Sequence, residues 1–172
     1  MADLINISKV LNKIGKEGVE SSRRSITARR KIRGRSVRRV ASGELAKSLS
    51  YKVIKRGKDF RIDFTSSASY AEFIHEGVNG TKINVGSKFS FKKKMVNRGA
   101  ILKWIRTKGI KGRDKKGRFI TNDQLSFIMA RSIAQKGIVG VPYFDLGIER
   151  ALKRNQKALE DAMIKDLDIN LF

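Results

Sequence analysis

The chain has 172 residues, with 39 Lys and Arg against 16 Asp and Glu and a formal net charge of +23. Apolar residues at 40% place it among globular rather than disordered chains, and the lack of cysteine excludes a disulfide scaffold and a thiolate zinc site. No apolar run approaches the roughly 20 residues that cross a bilayer, and MADLINISKVLNKIG lacks the unbroken apolar stretch of a secretory signal. A protein made in a cytoplasm, with no membrane partner, is expected.

The charge is segregated. Residues 1–60 carry 17 basic and five acidic side chains and residues 82–118 carry 14 and one, whereas 61–81 are slightly acidic and 119–172 are balanced. Two positive segments, instead of an even coat, draw in polyanions: nucleic acid or an acidic protein.

In chain order, residues 3–31 read as one long helix, with Leu4, Ile7, Leu11 and Ile14 at helical spacing behind Asp3 as N-cap. Gly15 and Gly18 weaken the pattern, each costing about 1 kcal/mol relative to alanine. From Arg23 to Arg39 there are nine basic residues and no acidic one, and Val37 and Val40 are the only clear apolar anchors nearby. That stretch reads as a helix end passing into a basic arm ordered by a partner. Next, SGELAKSLSYKVIKRGKDFRIDF holds a short capped turn and a β-hairpin. Leu49, Tyr51 and Val53, then Phe60, Ile62 and Phe64, alternate with polar residues around Arg56-Gly57-Lys58.

SYAEFIHEG predicts a short helix stopped by Gly77, and Val78–Phe91 a turn with one or two short strands. Residues 98–108 predict an amphipathic helix capped by Asn97, and KGIKGRDKKGRF a basic, glycine-rich loop with nothing to pack. Thr121-Asn122-Asp123-Gln124 signals the start of a helix closed by Gly137. Pro142 opens a final helix to about Lys165, with Phe144, Ile148, Ala151, Leu152, Leu159 and Met163 inward. DLDINLF alternates apolar and polar, so Leu167, Ile169, Leu171 and Phe172 are candidate subunit-interface residues of a strand added to a neighbour's sheet. The expected fold class is α+β: a small antiparallel sheet packed by long N- and C-terminal helices, with a helical insertion at about 92–137.

Little in the chain suggests catalysis. The lone histidine, His75, is followed by Glu76, but a metal site needs three or four ligands. Gly109-Ile110-Lys111-Gly112-Arg113 resembles a phosphate loop only superficially, because the helix that should follow is missing. Asp59, Asp63, Glu72 and Glu76 form no paired-carboxylate arrangement. No catalytic residue, metal or cofactor is therefore expected. The basic segment offers Arg23, Arg24, Arg29, Arg30, Lys31, Arg33, Arg35, Arg38 and Arg39 as contacts to DNA phosphates or to an acidic partner. It lacks the interleaved aromatics that stack single strands, and no helix-turn-helix or zinc-finger spacing offers base-specific reading.

Three segments in order resemble the neck and tail-completion family of tailed bacteriophages (head–tail joining proteins, or minor tail components). Ser42-Gly43-Glu44-Leu45-Ala46-Lys47-Ser48-Leu49 is similar to the family's small-Gly-x-Leu-x-x-Ser-Ile start before a strand. Tyr70-Ala71-Glu72-Phe73-Ile74-His75-Glu76-Gly77 is similar to its Tyr-Ala-x-x-Val-Glu-x-Gly segment, with Phe-Ile-His-Glu replacing the usual valine–glutamate spacing. Val141-Pro142-Tyr143-Phe144-Asp145-Leu146-Gly147-Ile148 is similar to its Arg-Pro-Phe-Leu-x-x-Ala opening of the last helix. WIRTKGIKGRDKKGRF and LSFIMARSIAQKGI, between the second and third segments, resemble longer members. The likeness covers roughly residues 42–165.

The resemblance implies a non-enzymatic structural virion protein. Copies would form a ring joining capsid and tail around the DNA channel, with portal-side and tail-side neighbours and backbone contact with packaged DNA. It would reside in the virion after assembly in the host cytoplasm. The corresponding division is an N-terminal helix and basic arm at 1–41, a neck-like domain at 42–165 and a tail at 166–172. A sequence-nonspecific nucleic-acid-binding protein is the alternative that the charge alone supports.

Overall fold

In the computed structural model, which describes residues 4–32, 35–37, 43–57 and 59–168, helix α1 runs unbroken from Ile5 to Thr27. The buried positions Ile14, Gly15, Gly18, Val19, Ser22, Ser25 and Ile26 recur three and four residues apart, which places them on one face. The two glycines that weaken the pattern in sequence lie on that face. A Cβ at Gly18 would stand 2.8 Å from Phe64, and one at Gly15 would run into the Tyr51 ring. These glycines therefore admit aromatic rings against the helix backbone.

The fold is α+β. After α1 come β1 (Arg30–Ile32), β2 (Arg35–Val37), α2 (Glu44–Ser48), β3 (Leu49–Arg56), β4 (Asp59–Ser66) and α3 (Ala71–Glu76). Next follow β5 (Gly77–Val78), α4 (Arg98–Lys108), β6 (Gly112–Arg113), β7 (Phe119–Ile120), α5 (Asn122–Lys136), β8 (Ile138–Val139) and α6 (Tyr143–Asp168). All four sheets among the described residues are antiparallel pairs: β1–β2, β3–β4, β5–β8 and β6–β7. The expected β3–β4 hairpin forms, with a register running from Leu49 opposite Ser66 to Arg56 opposite Asp59.

The chain divides into two compact units, residues 1–71 with 142–172 and residues 72–141. The second lies inside the first in sequence and is wider than the 92–137 insertion, because β5 near its start pairs with β8 near its end. Unit 1 is built on the antiparallel pair α1 and α6. Its contact is made of small residues: Gly18 and Ser22 of α1 lie against Ala151 and Gly147 of α6. Tyr143, Ala151, Asn155, Ala162 and Asp166 are buried, and Leu152 and Met163 are 44% and 48% exposed. Of the residues expected inward, Ala151 is buried and Phe144, Ile148 and Leu159 are half-buried, whereas Leu152 and Met163 are turned out. The fully buried stripe instead runs through Tyr143, Gly147, Ala151, Asn155, Ala162 and Asp166. Buried polarity is satisfied within the helix pair, as Asn155 Nδ2 donates across to Glu17 Oε2 at 2.8 Å and along α6 to Ala151 O at 2.9 Å.

The start of α1 is capped from a distance. Leu4 supplies no side-chain cap, and Asp3 lies outside the described residues. Instead the carboxylate of Asp166, near the end of α6, accepts from Ile7 N at 2.9 Å, Asn6 N at 3.3 Å and Asn6 Nδ2 at 2.8 Å. These are the second and third N–H groups of α1, which a local cap residue ordinarily takes.

Unit 2 packs α4 against α5. Asn97 Oδ1 accepts from Ala100 N at 3.2 Å, as its cap position predicts. Thr121 and Gln124 form a complete capping box, Thr121 N donating to Gln124 Oε1 at 3.1 Å and Gln124 N to Thr121 Oγ1 at 3.2 Å. The far end of α5 is closed by another segment. Thr81 N donates to Ala134 O at 2.8 Å, and Lys82 N and Ile83 N donate to Gln135 O at 3.0 and 3.1 Å. Asn79 orders residues 77–91, accepting from Val85 N and Ser87 N while its amide donates to Ser87 O and Ser90 Oγ.

Candidate nucleic-acid and partner interface

The predicted basic segment is distributed over several elements. Arg23 lies in the penultimate turn of α1, and its guanidinium donates to Ala46 O at 2.9 Å and Leu49 O at 3.1 Å, tying α1 to the α2–β3 connection. Arg24 is in the last turn and exposed, and Arg29 is exposed beyond the helix end. Arg30 and Lys31 fall in β1 and Arg35 in β2, paired as Arg30 with Val37, Lys31 with Ser36 and Ile32 with Arg35. The segment read as an arm without local structure thus forms a short strand pair, because two strands joined by Arg33-Gly34 satisfy each other's backbone groups. Arg33, Arg38 and Arg39 lie outside the described residues.

At the other end, α6 continues to Asp168, so Leu167 is helical where alternation suggested a strand. Asp166 holds the end of α6 to the start of α1. Ile169, Leu171 and Phe172 lie outside the described residues.

His75 Nδ1 lies 3.4 Å from Glu76 Oε1. Among the described residues no group of three or more His, Cys, Asp or Glu could hold a metal ion. Burial pushes the Tyr143 hydroxyl up to about 12, and that hydroxyl donates to Ala71 O at 3.1 Å. It serves as an anchor for the start of α6.

Unit 2 carries sixteen Lys and Arg against four Asp and Glu. All four acids are engaged. Glu72 binds Lys88 Nζ at 2.7 Å, and Glu76 lies 4.0 Å from the same ammonium. Lys88 is held above its ordinary value, first by its hydrogen bond to Glu72. Asp123 pairs with Arg98, and Asp114 Oδ2 lies 3.0 Å from Arg118 Nε.

Asp114 also builds the β6–β7 turn. Its Oδ1 accepts from Lys116 N at 2.8 Å and Arg118 N at 2.9 Å, and Gly117 completes the turn at a φ of 80°. Hydrogen bonds from the Arg118 backbone and side chain hold its carboxyl below the usual range, against the opposing effect of burial. Composition predicts this stretch to be a loop with nothing to pack. It is a hairpin seated on α5, where a Cβ at Gly112 would stand 2.8 Å from Leu125. The hairpin presents Phe119, 61% exposed, with the Arg113 guanidinium 4.0 Å and Lys111 Nζ 5.9 Å from its ring centroid. The available signal was the alternation in Arg118-Phe119-Ile120, obscured by four basic residues and two glycines just before it.

Two grooves of about 480 and 590 Å³ meet at Phe127 of α5, which is 45% exposed and lines both. One is walled by Arg98, Ile120 and Ile128, the other by Lys82, Lys94, Met95 and Arg131. Lys82 is placed by its backbone bond to the end of α5, and Arg98 by its Nε donating to Ser126 Oγ at 3.2 Å. No helix among the described residues is long and apolar enough to cross a membrane. No protein-family model, curated protein or solved structure matches the chain.

Proposed function

We propose that the chain is a non-enzymatic structural protein of the tailed-phage neck, one of several copies in a ring that joins capsid and tail around the DNA channel. Its place is the virion, after assembly in the host cytoplasm, with portal-side and tail-side proteins as neighbours. The observation that carries this reading is that the three segments bearing the resemblance touch one another. In unit 1 the Tyr70 hydroxyl accepts a hydrogen bond from the Leu45 backbone, and Tyr143 Oη donates to Ala71 O. In unit 2 Val141 N donates to Ile74 O at 2.9 Å. The second segment thus meets the first on one side and the third on the other, as parts of one arrangement would. Closed rings arise when a heterologous interface repeats through a rotation that closes, and exposed Ile5, Met163 and Ile164 offer unit 1 apolar surface for such a contact.

The test is mass photometry and negative-stain microscopy of the purified protein, alone and with neck partners. Closed rings, or recruitment to partner-built rings, are expected. A persistent monomer that ignores those partners yet coats DNA would replace this reading with that of a free-standing, sequence-nonspecific nucleic-acid-binding protein, which the excess charge of unit 2 favours.

A further inference from the structure

We infer that unit 2 carries a binding track for single-stranded nucleic acid, formed by the β6–β7 hairpin and the paired grooves along α5. Proteins that hold single strands without reading sequence combine a positive groove for the phosphates with exposed aromatic rings on which bases stack. Both parts are present here, whereas the 23–39 segment has the cations and no aromatic residue. The rings are Phe119 and Phe127, 61% and 45% exposed despite a substantial cost of leaving such apolar area in water. The cations are Lys111 and Arg113 at the hairpin and Lys82, Lys94 and Arg131 in the groove.

Charge complementarity selects a polyanion, because all four carboxylates of unit 2 are already held by Lys88, Arg98 and Arg118. The rings select the unpaired form, since a duplex keeps its base faces stacked inside. The turn that presents Phe119 is fixed by Asp114 and by Arg113 Nη1 donating to Gly117 O at 2.9 Å, so little ordering accompanies binding. The site stands apart from the neck reading, since a ring subunit and a free-standing binder could each carry it.

The experiment is fluorescence anisotropy of labelled oligothymidylate with the full chain, beside a duplex of equal length and heparin. Affinity for oligothymidylate should fall about a hundredfold between roughly 50 and 200 mM salt if about five phosphates are neutralised. Phe119→Ala and Phe127→Ala should each weaken it about tenfold, the loss expected for one stacked base, and leave heparin binding unchanged. Lys82→Glu with Lys94→Glu and Arg131→Glu should flatten the salt dependence.

Phenylalanine variants that bind oligothymidylate like the parent overturn the inference. So does binding lost only when Arg29 and Arg30 are reversed, which would assign it to the β1–β2 segment. Phe119→Trp gives a reading independent of truncation: its added emission should be quenched by oligothymidylate and not by heparin, and equal emission in both overturns the stacking role. Ring formation measured on the same variants keeps the two questions separate, since a failed ring assay leaves these affinities unaffected.

Discussion

At the scale of single residues, Asp166 and Gly147 do the most structural work for their size. Asp166 is 2% exposed, and burial alone would push its carboxyl up. Hydrogen bonds from Ile7 N, Asn6 Nδ2 and Asn6 N, with the charge of Lys55, bring it below the usual carboxylate range. A folded value below the unfolded one of about 3.9 contributes stability above that pH, lost as pH falls through the folded value. Asp166→Ala should therefore cost about 1–2 kcal/mol near neutral pH. The gap from the parent should close in acid, which thermal melts across a pH series will show. Gly147 sits where α6 crosses α1, and an added Cβ would stand 2.7 Å from Ser22 N and 2.8 Å from Gly18 O. Alanine gains about 1 kcal/mol of helix propensity there, but the overlap is with backbone and costs about 1–3 kcal/mol or more. Gly147→Ala is thus expected to destabilise, and more than Gly18→Ala, whose neighbour is the rotatable Phe64 ring. Equal melting temperatures for the two variants would contradict this account of the helix contact.

At the scale of elements, the helix ends are closed by two devices. One is local: the Thr121–Gln124 capping box and the Asn97 cap are complete within a few residues of chain. Thr121→Ala should cost about 1 kcal/mol, lowering the melting temperature by about 2–4 °C in a chain of this size. The other device is distant, with Asp166 closing α1 and residues 81–83 closing α5. The β6–β7 hairpin shows the same division, since Asp114 organises its turn locally while Gly112 seats it on Leu125.

At the scale of the whole molecule, charge and continuity set the expectations. Unit 2 has a large positive excess with its acids engaged, whereas residues 142–172 carry five basic and six acidic side chains. A test of the C-terminal segment in assembly must spare Asp166, because removing 166–172 would uncap α1 and confuse a folding defect with an interface defect. Deleting 169–172 avoids this. If those residues contribute to the ring interface, the deletion should abolish rings in mass photometry while leaving the thermal melt unchanged, and intact rings would exclude them.

The sequence by itself determined what depends on neighbours within a few positions. The β3–β4 hairpin, α4 with Asn97, α5 with its capping box and the opening of α6 beyond Pro142 follow from alternation, helical spacing and caps. The excess charge and its two segments were also plain. Tertiary structure decided whatever depends on a partner distant in the chain. Gly15 and Gly18 read as weaknesses until Tyr51 and Phe64 occupied the space they leave. The buried stripe of α6 carries glycine and alanine at Gly147 and Ala151 because α1 crosses there so closely that a Cβ at Gly147 would meet its backbone. Phe119, masked by surrounding charge, and Phe127, set in an uncharged run, became visible as exposed rings beside cationic grooves. The physical reason is common to all three: periodicity records which face of an element is turned inward, but only the opposing surface sets how much room that face is given.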